Sequence, residues 1–193
     1  RAHPGAVDVP SGFVVADEAV TDAFWQDWHR AHRGWCEAQD LKSYRAVKLR
    51  VSRIKLGLDT LAGDLVDGMK AYEAALRRRG ALDFDDLLVK ARDLLAEDAG
   101  ALGDARAATQ ALLVDEFQDT DGVQFRVLRQ VADGGTLRVD GGPSPAGCHL
   151  FCVADDDQSI YRFRGARPRN LHEYVDAYGC TRAAGTRHVL TTN

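Results

Sequence analysis

Apolar positions recur with a helical period through the first half of the chain and give way to short, unbroken apolar runs in the second. Between Asp17 and about Arg53, Phe24, Trp28 and Trp35 share one helical face, with Trp25 beside them. That spacing predicts helices, the first capped by Thr21 or Asp22, with interruptions at Gly34 and Gly57. The aromatics read as the core of a small helical subdomain rather than as ligand-stacking rings. Leu65, Met69, Tyr72 and Leu76 predict a further helix over 64–79, whose arginine run "RRR" suits a helix C-terminus; a phosphate-binding patch is the alternative. In "ALDFDDLLVKARDLL", Asp83 stands at an N-cap and Asp86 three residues on, as in a capping box. Phe84, Leu87, Leu88, Ala91 and Leu95 then form the predicted buried face of a helix ending near Glu97.

The period changes at "ALLV", which is short and continuous, as a strand buried on both faces of a parallel sheet should be. "CHLFCVA" and "RHVLTT" predict two more strands. Between them, "TDGVQFRVLRQVA" reads as a helix capped by Thr120 or Asp121, and "RPRNLHEYVDAY" as a helix with Pro168 in its first turn. Residues 133–147 form a Gly- and Pro-rich surface loop. Strand, helix, strand, helix, strand predicts an α/β fold with a parallel sheet over 81–193, preceded by a mainly helical subdomain over 1–80.

Composition narrows the function classes. In 193 residues, 45% hydrophobic and 28% charged, no window approaches the roughly 18 to 20 apolar residues of a membrane span. The opening "RAHPGAVDVP" lacks the apolar core of a signal peptide. Cys36, Cys148, Cys152 and Cys180 form neither a CxxC pair nor a disulfide framework, which suits unpaired thiols in a reducing cytoplasm. A net charge of -4 excludes nucleic-acid binding through bulk basicity and leaves it to local patches. Because the chain starts at Arg1 and stops at Asn193 after an apolar run, both ends read as cuts through a longer protein.

Ligands of open parallel sheets bind at the carboxyl ends of the strands, and two acidic clusters fall there: Asp115-Glu116 and Asp155-Asp156-Asp157. Adjacent carboxylates leaving a strand can divide labour, one holding Mg²⁺ and the other activating water, as in a nucleotide hydrolase. A helix cap with a solvated acid, or a two-metal nuclease, fits the dipeptide as well. "QSIYRFRGA" interleaves Tyr161 and Phe163 with Arg162, Arg164, Arg167 and Arg169, pairing π-faces for bases with charges for phosphates.

The blocks "LLVDEFQDTDGVQF" and "VADDDQSIYRFRGA" resemble motifs II and III of UvrD/Rep-type superfamily 1 DNA helicases, in the same order. "ALDFDDLL" is similar to the segment those proteins place before motif II, the opening 18 residues to the stretch after their early DNA-contacting motifs, and "LTTN" to the first half of motif IV. The resemblance implies an incomplete RecA-like P-loop NTPase motor domain, preceded by the helical 1B-like subdomain. It further implies ATP and Mg²⁺ as cofactors, single-stranded DNA and duplex junctions as partners, 3′ to 5′ unwinding, and repair or replication accessory proteins. Asp115 and Glu116 would serve the metal, Glu116 as general base, with Gln158 sensing the γ-phosphate and Arg164, also at the nucleotide, linking that site to the DNA track. Tyr161, Arg162 and Phe163 would contact DNA.

Ala154 stands where the family usually has glycine and Phe163 where many members have tryptophan, while Gly165 favours the UvrD/Rep branch over the RecB/AddA helicase-nucleases. No G-x-x-x-x-G-K-S/T phosphate loop occurs in the 193 residues, so this chain alone is expected to be inactive. A non-catalytic module that binds single-stranded DNA or a protein is the alternative reading.

Overall fold

A computed structural model describes residues 9, 12–132, 148–158, 169–180 and 187–190. Two compact units divide the chain, one spanning Pro4–Asp93 and the other taking in Leu94–Asn193.

In the first unit, α1 (Glu18–Ala31) starts where Asp17, in extended backbone, accepts the Val20 N–H at 2.8 Å. The cap is therefore Asp17. Thr21 lies inside the helix with its hydroxyl on the Glu18 carbonyl, and Asp22 instead pairs with Lys48 and Tyr44. The chain breaks at His32, so Gly34 sits within α2 (Arg33–Ala38) rather than interrupting it. α3 (Tyr44–Lys55) is capped by Ser43 and is followed by Gly57 at φ +72°, the interruption its glycine predicted. α4 (Leu65–Arg78) buries Leu65, Met69, Tyr72 and Leu76 as the period predicts. A Cβ on Gly68 would lie 2.5 Å from Trp28 Nε1, so the missing side chain is what lets α4 meet the indole.

The aromatics form the core of this unit. Trp25 is 1% exposed, and its ring centroid lies 5.7 Å from Trp28 edge-on and 5.0 Å from Tyr72. Phe24 and Trp35, expected on the buried face, only flank that core.

Two-residue strands β1 (Val14–Val15) and β2 (Ala81–Leu82) pair in parallel, an element too short for any sequence period to reveal. β2 runs into α5 (Phe84–Glu97) through the predicted capping box: the Asp86 N–H donates to Asp83 Oδ1 at 2.8 Å and the Asp83 N–H to Asp86 Oδ2 at 3.4 Å. The face expected to be buried is only partly so: Leu87, Leu88, Ala91 and Leu95 are half-buried, and Phe84 is 69% exposed.

The acids have a second task. Lys55, with only 6% of its side chain exposed, places Nζ 2.7 Å from Asp83 and 2.8 Å from Asp86, while the Tyr72 hydroxyl donates to Asp83 at 2.8 Å. Burial alone would push Asp83 up, but the charge and hydrogen bond of Lys55 outweigh it and hold the carboxyl below its usual range. Burial would push Lys55 down, and the two carboxylates hold it above its usual value.

The second unit begins with α6 (Ala99–Ala108), capped by Asp98 and not anticipated from the sequence. β3 (Ala111–Val114) and β4 (His149–Cys152) pair in parallel, Ala111 with His149 through Val114 with Cys152. α7 (Gly122–Ala132) is capped by Asp121, whose Oδ1 accepts the N–H groups of Val123 and Gln124 at 2.6 and 2.9 Å. α8 (Arg169–Tyr178) follows. Phe117, Phe125, Leu150, Tyr174 and Tyr178 form the core against one face of the sheet.

The other face is open among the described residues, with Leu113 79% and Phe151 56% exposed, so "ALLV" is not covered on both sides as expected. α7 and α8 supply one layer, and no described element supplies the second. Arg187–Leu190 carry no regular structure, in place of the predicted third strand; Thr191, Thr192, Pro168 and the 133–147 loop lie outside the described residues. All four cysteines are free, and burial pushes the Cys152 thiol up to about 12, as expected of inert structural thiols.

Replacing Lys55 by Met strands two acids in a dry site, and is expected to cost about 3 to 5 kcal/mol of the first unit's stability. Since Asp83 titrates lower in the folded chain than in the unfolded one, its contribution is present above about pH 4 and is lost as pH falls through its depressed folded value. Denaturant midpoints at neutral and acid pH check both points: the acid loss should be smaller in Lys55→Met than in wild type, the remainder coming from Asp22 and Asp59, which Lys48 and Arg53 also hold below the usual carboxylate range.

Candidate functional site

The sheet places two acidic turns side by side. Beyond the last paired residues the ladder continues, with the Val153 N–H donating to the Val114 carbonyl at 2.8 Å and the Phe117 N–H to the Val153 carbonyl at 2.9 Å. Asp115 and Glu116 are thereby held next to Ala154 and Asp155, all at the carboxyl ends of parallel strands.

Glu116 occupies the left-handed region at φ +50°, ψ 42°. For a residue with a Cβ that conformation costs about 1 to 2 kcal/mol, and it persists only where the surroundings impose it. Here they do. Its N–H donates to Asp115 Oδ1 at 3.0 Å, its carbonyl accepts the Asp119 N–H at 2.9 Å, and the next residue, Phe117, is fully buried against Phe125 and Tyr174. The sharp turn leaves both Asp115 and Glu116 exposed beyond the strand.

Gln118, in the one-turn 3₁₀ segment Phe117–Asp119, is 1% exposed. Its Nε2 donates to Glu116 Oε2 at 2.6 Å, and its Oε1 accepts the Asp155 N–H at 2.9 Å. The Asp155 carboxylate in turn accepts the Asp157 N–H at 3.1 Å and Gln158 Nε2 at 2.6 Å, within a second 3₁₀ turn. Glu116, Gln118, Asp155 and Gln158 are therefore one continuous hydrogen-bonded chain across two strands. Glu116 and Gln158, singled out in the sequence, are brought together; Tyr161, Arg162, Phe163 and Arg164 lie outside the described residues.

Two residues gave no warning in the sequence. Gln118 carries no periodic or compositional signal, and only its place between two acids could have drawn attention. Asn170, 1% exposed at the start of α8, donates through Nδ2 to the Thr120 carbonyl at 2.9 Å, to Thr120 Oγ1 at 3.2 Å and to the Asp121 carbonyl at 3.4 Å. It pins the exit of the acidic turn to the helix packed beneath it.

Among the described residues no group of three or more His, Cys, Asp or Glu side chains is placed to hold a metal. A protein-only cage for zinc or calcium needs more donors than the Asp115-Glu116 pair offers. The pair fits Mg²⁺, which takes one or two protein carboxylates and fills its remaining positions with phosphate oxygens and water. The chemistry open to such an arrangement is displacement at phosphorus, with one acid on the cation and the other on the attacking water.

The family described as the UvrD/REP helicase N-terminal domain matches residues 39–178. The chain is 36% identical over 141 residues to an ATP-dependent helicase/nuclease subunit of Levilactobacillus brevis, covering 69% of this chain and 10% of that protein. It is 36% identical over 109 residues to DNA helicase II of Escherichia coli, covering 56% and 14%. It is also 36% identical over 124 residues to the ATP-dependent DNA helicase UvrD1 of Mycobacterium bovis, covering 64% and 15%. The chain thus spans between 10% and 15% of the length of these relatives.

Asn170→Ala removes the donor to the buried Thr120 carbonyl, and is expected to lower the second unit's stability by about 1 to 3 kcal/mol. A denaturant midpoint followed by the ring resonances of Tyr174 and Tyr178 checks it, with Asp176→Ala, exposed on the same helix, expected to shift little.

Proposed function

The chain belongs to the UvrD/REP helicase N-terminal domain family, and from that premise we propose that it is the motif II and motif III portion of an ATP-dependent DNA helicase. That helicase couples Mg-ATP hydrolysis to 3′ to 5′ movement along single-stranded DNA and to unwinding at duplex junctions, in the cytoplasm. Residues 81–193 contribute to its RecA-like motor domain, and residues 1–80 to the helical subdomain inserted in it. The observation that carries the reading is the chain Glu116–Gln118–Asp155–Gln158, which joins two polar turns at the strand ends where nucleotides bind in parallel sheets.

In this reading Asp115 would hold Mg²⁺, which would supply the charge that neutralises the phosphates. Glu116, exposed and aimed by its left-handed backbone, orients the attacking water and takes its proton. Gln158 meets the γ-phosphate and Arg164 links the nucleotide site to the DNA track, while Tyr161 and Phe163 stack on bases and Arg162 neutralises the DNA backbone. No phosphate-binding loop occurs in these 193 residues, and phosphoryl transfer is mostly positioning and charge stabilisation; the chain alone is therefore expected to hydrolyse no ATP.

A helicase-nuclease parent is the second reading, favoured by the 36% identity that spans 69% of the chain; DNA cleavage by the complete polypeptide would distinguish it. A purely binding module would have no use for adjacent exposed carboxylates linked to Gln158.

In the complete polypeptide, Glu116→Gln is expected to lower kcat for DNA-stimulated ATP hydrolysis by at least about 10²-fold while ATP affinity stays within a few-fold, because the neutral side chain fills the same space. Turnover at the wild-type rate would remove Glu116 as the base.

A further inference from the structure

We propose that Gln118 is the positioning residue through which the turn after β4 sets the Glu116 carboxylate, so that DNA engagement beyond Gln158 is transmitted to the hydrolytic base. This inference rests on the ATPase reading above.

The direction of the hydrogen bonds carries it. Asp155 presents a backbone N–H to Gln118 at 2.9 Å, and a backbone N–H can only donate. The Gln118 oxygen therefore faces Asp155, which turns the nitrogen toward Glu116 at 2.6 Å. A flipped amide would set N–H against N–H at one end and oxygen against carboxylate at the other, so a single orientation survives. The donor that holds Glu116 is thus fixed by a backbone group 37 positions beyond Gln118 in sequence, through one side chain with no slack.

Burial strengthens the coupling. At 1% exposure, Gln118 has little water to replace a lost partner, and a buried amide is tolerated only while its polar atoms stay paired. Any shift of the Asp155 backbone therefore moves the amide, and with it the donor that holds Glu116. Asp155 also receives Gln158 at 2.6 Å, and Gln158 stands three residues before Tyr161, at the start of the aromatic and arginine-rich stretch. A filler in this position needs no polar atoms, whereas a transmitter needs both ends used. Catalytic geometry is sensitive on this scale, since a misplacement of about 1 Å can cost about 10²-fold in rate.

The test measures ATP hydrolysis by the complete helicase polypeptide with and without single-stranded DNA, for wild type, Gln118→Leu and Gln118→Glu. Leucine approximates the volume and loses both bonds; glutamate keeps an acceptor for the Asp155 N–H and cannot donate to an ionised Glu116. Both variants are expected to keep KM for ATP within about twofold, to lose about 10- to 100-fold of the DNA-stimulated kcat, and to show a stimulation ratio falling toward one. A loss by the same factor with and without DNA, or a wild-type stimulation ratio, overturns the proposal. If thermal unfolding shows that Gln118→Leu does not fold, Gln118→Glu decides by the same criteria. Glu116→Gln is run alongside: wild-type hydrolysis there sinks the base assignment itself, whereas abolished hydrolysis with unaffected Gln118 variants sinks only the relay.

Discussion

The parallel register of β3 on β4 is the constraint from which the site follows. Pairing Val114 with Cys152 brings the two strand ends level, and the next two ladder bonds, Val153 to Val114 and Phe117 to Val153, carry the alignment into the turns. With the turns level, one glutamine side chain is long enough to span them. A slip of one residue would turn Phe117 away from its aromatic neighbours and take Gln118 out of reach of Asp155. The strained backbone of Glu116 is tolerated for the same reason, because Phe117 is anchored in the core immediately after it.

Each unit satisfies one cluster of buried polar groups by convergence of several elements on one point. In the first, Lys55 from α3, Tyr72 from α4 and the two capping acids of α5 meet in one ion cluster beside the tryptophan core. In the second, Asn170 from α8 donates to the Thr120 carbonyl and hydroxyl left by the turn between β3 and α7. Both arrangements depend on residues distant in sequence, which makes the local geometry a property of the folded unit.

The sequence disclosed what is local. The Asp83-Asp86 capping box, the buried face of α4, the Asp121 cap and the two longer strands each follow from spacing within a few residues. What it concealed is long-range or ambiguous in type. Lys55 lies among Lys48, Arg50 and Arg53 with no local spacing to mark it, and only the fold shows it to be buried. Leu113 and Phe151 have the composition of a covered strand, yet coverage depends on an opposing layer that no described residue provides. Asp115, Glu116 and Gln158 are singled out in the sequence because the blocks resemble known motifs, whereas Gln118, in the same block, gains its meaning only once Asp155 is placed beside it.

The most direct measurement is the scalar coupling across the hydrogen bond between the Asp155 amide nitrogen and the Gln118 side-chain carbonyl carbon, by nuclear magnetic resonance on the folded chain. A resolved coupling, together with slowed exchange of the Asp155 amide, is the predicted result. An Asp155 amide that exchanges at the rate of an unstructured peptide, with no such coupling, would contradict the bridge on which the account of the site depends.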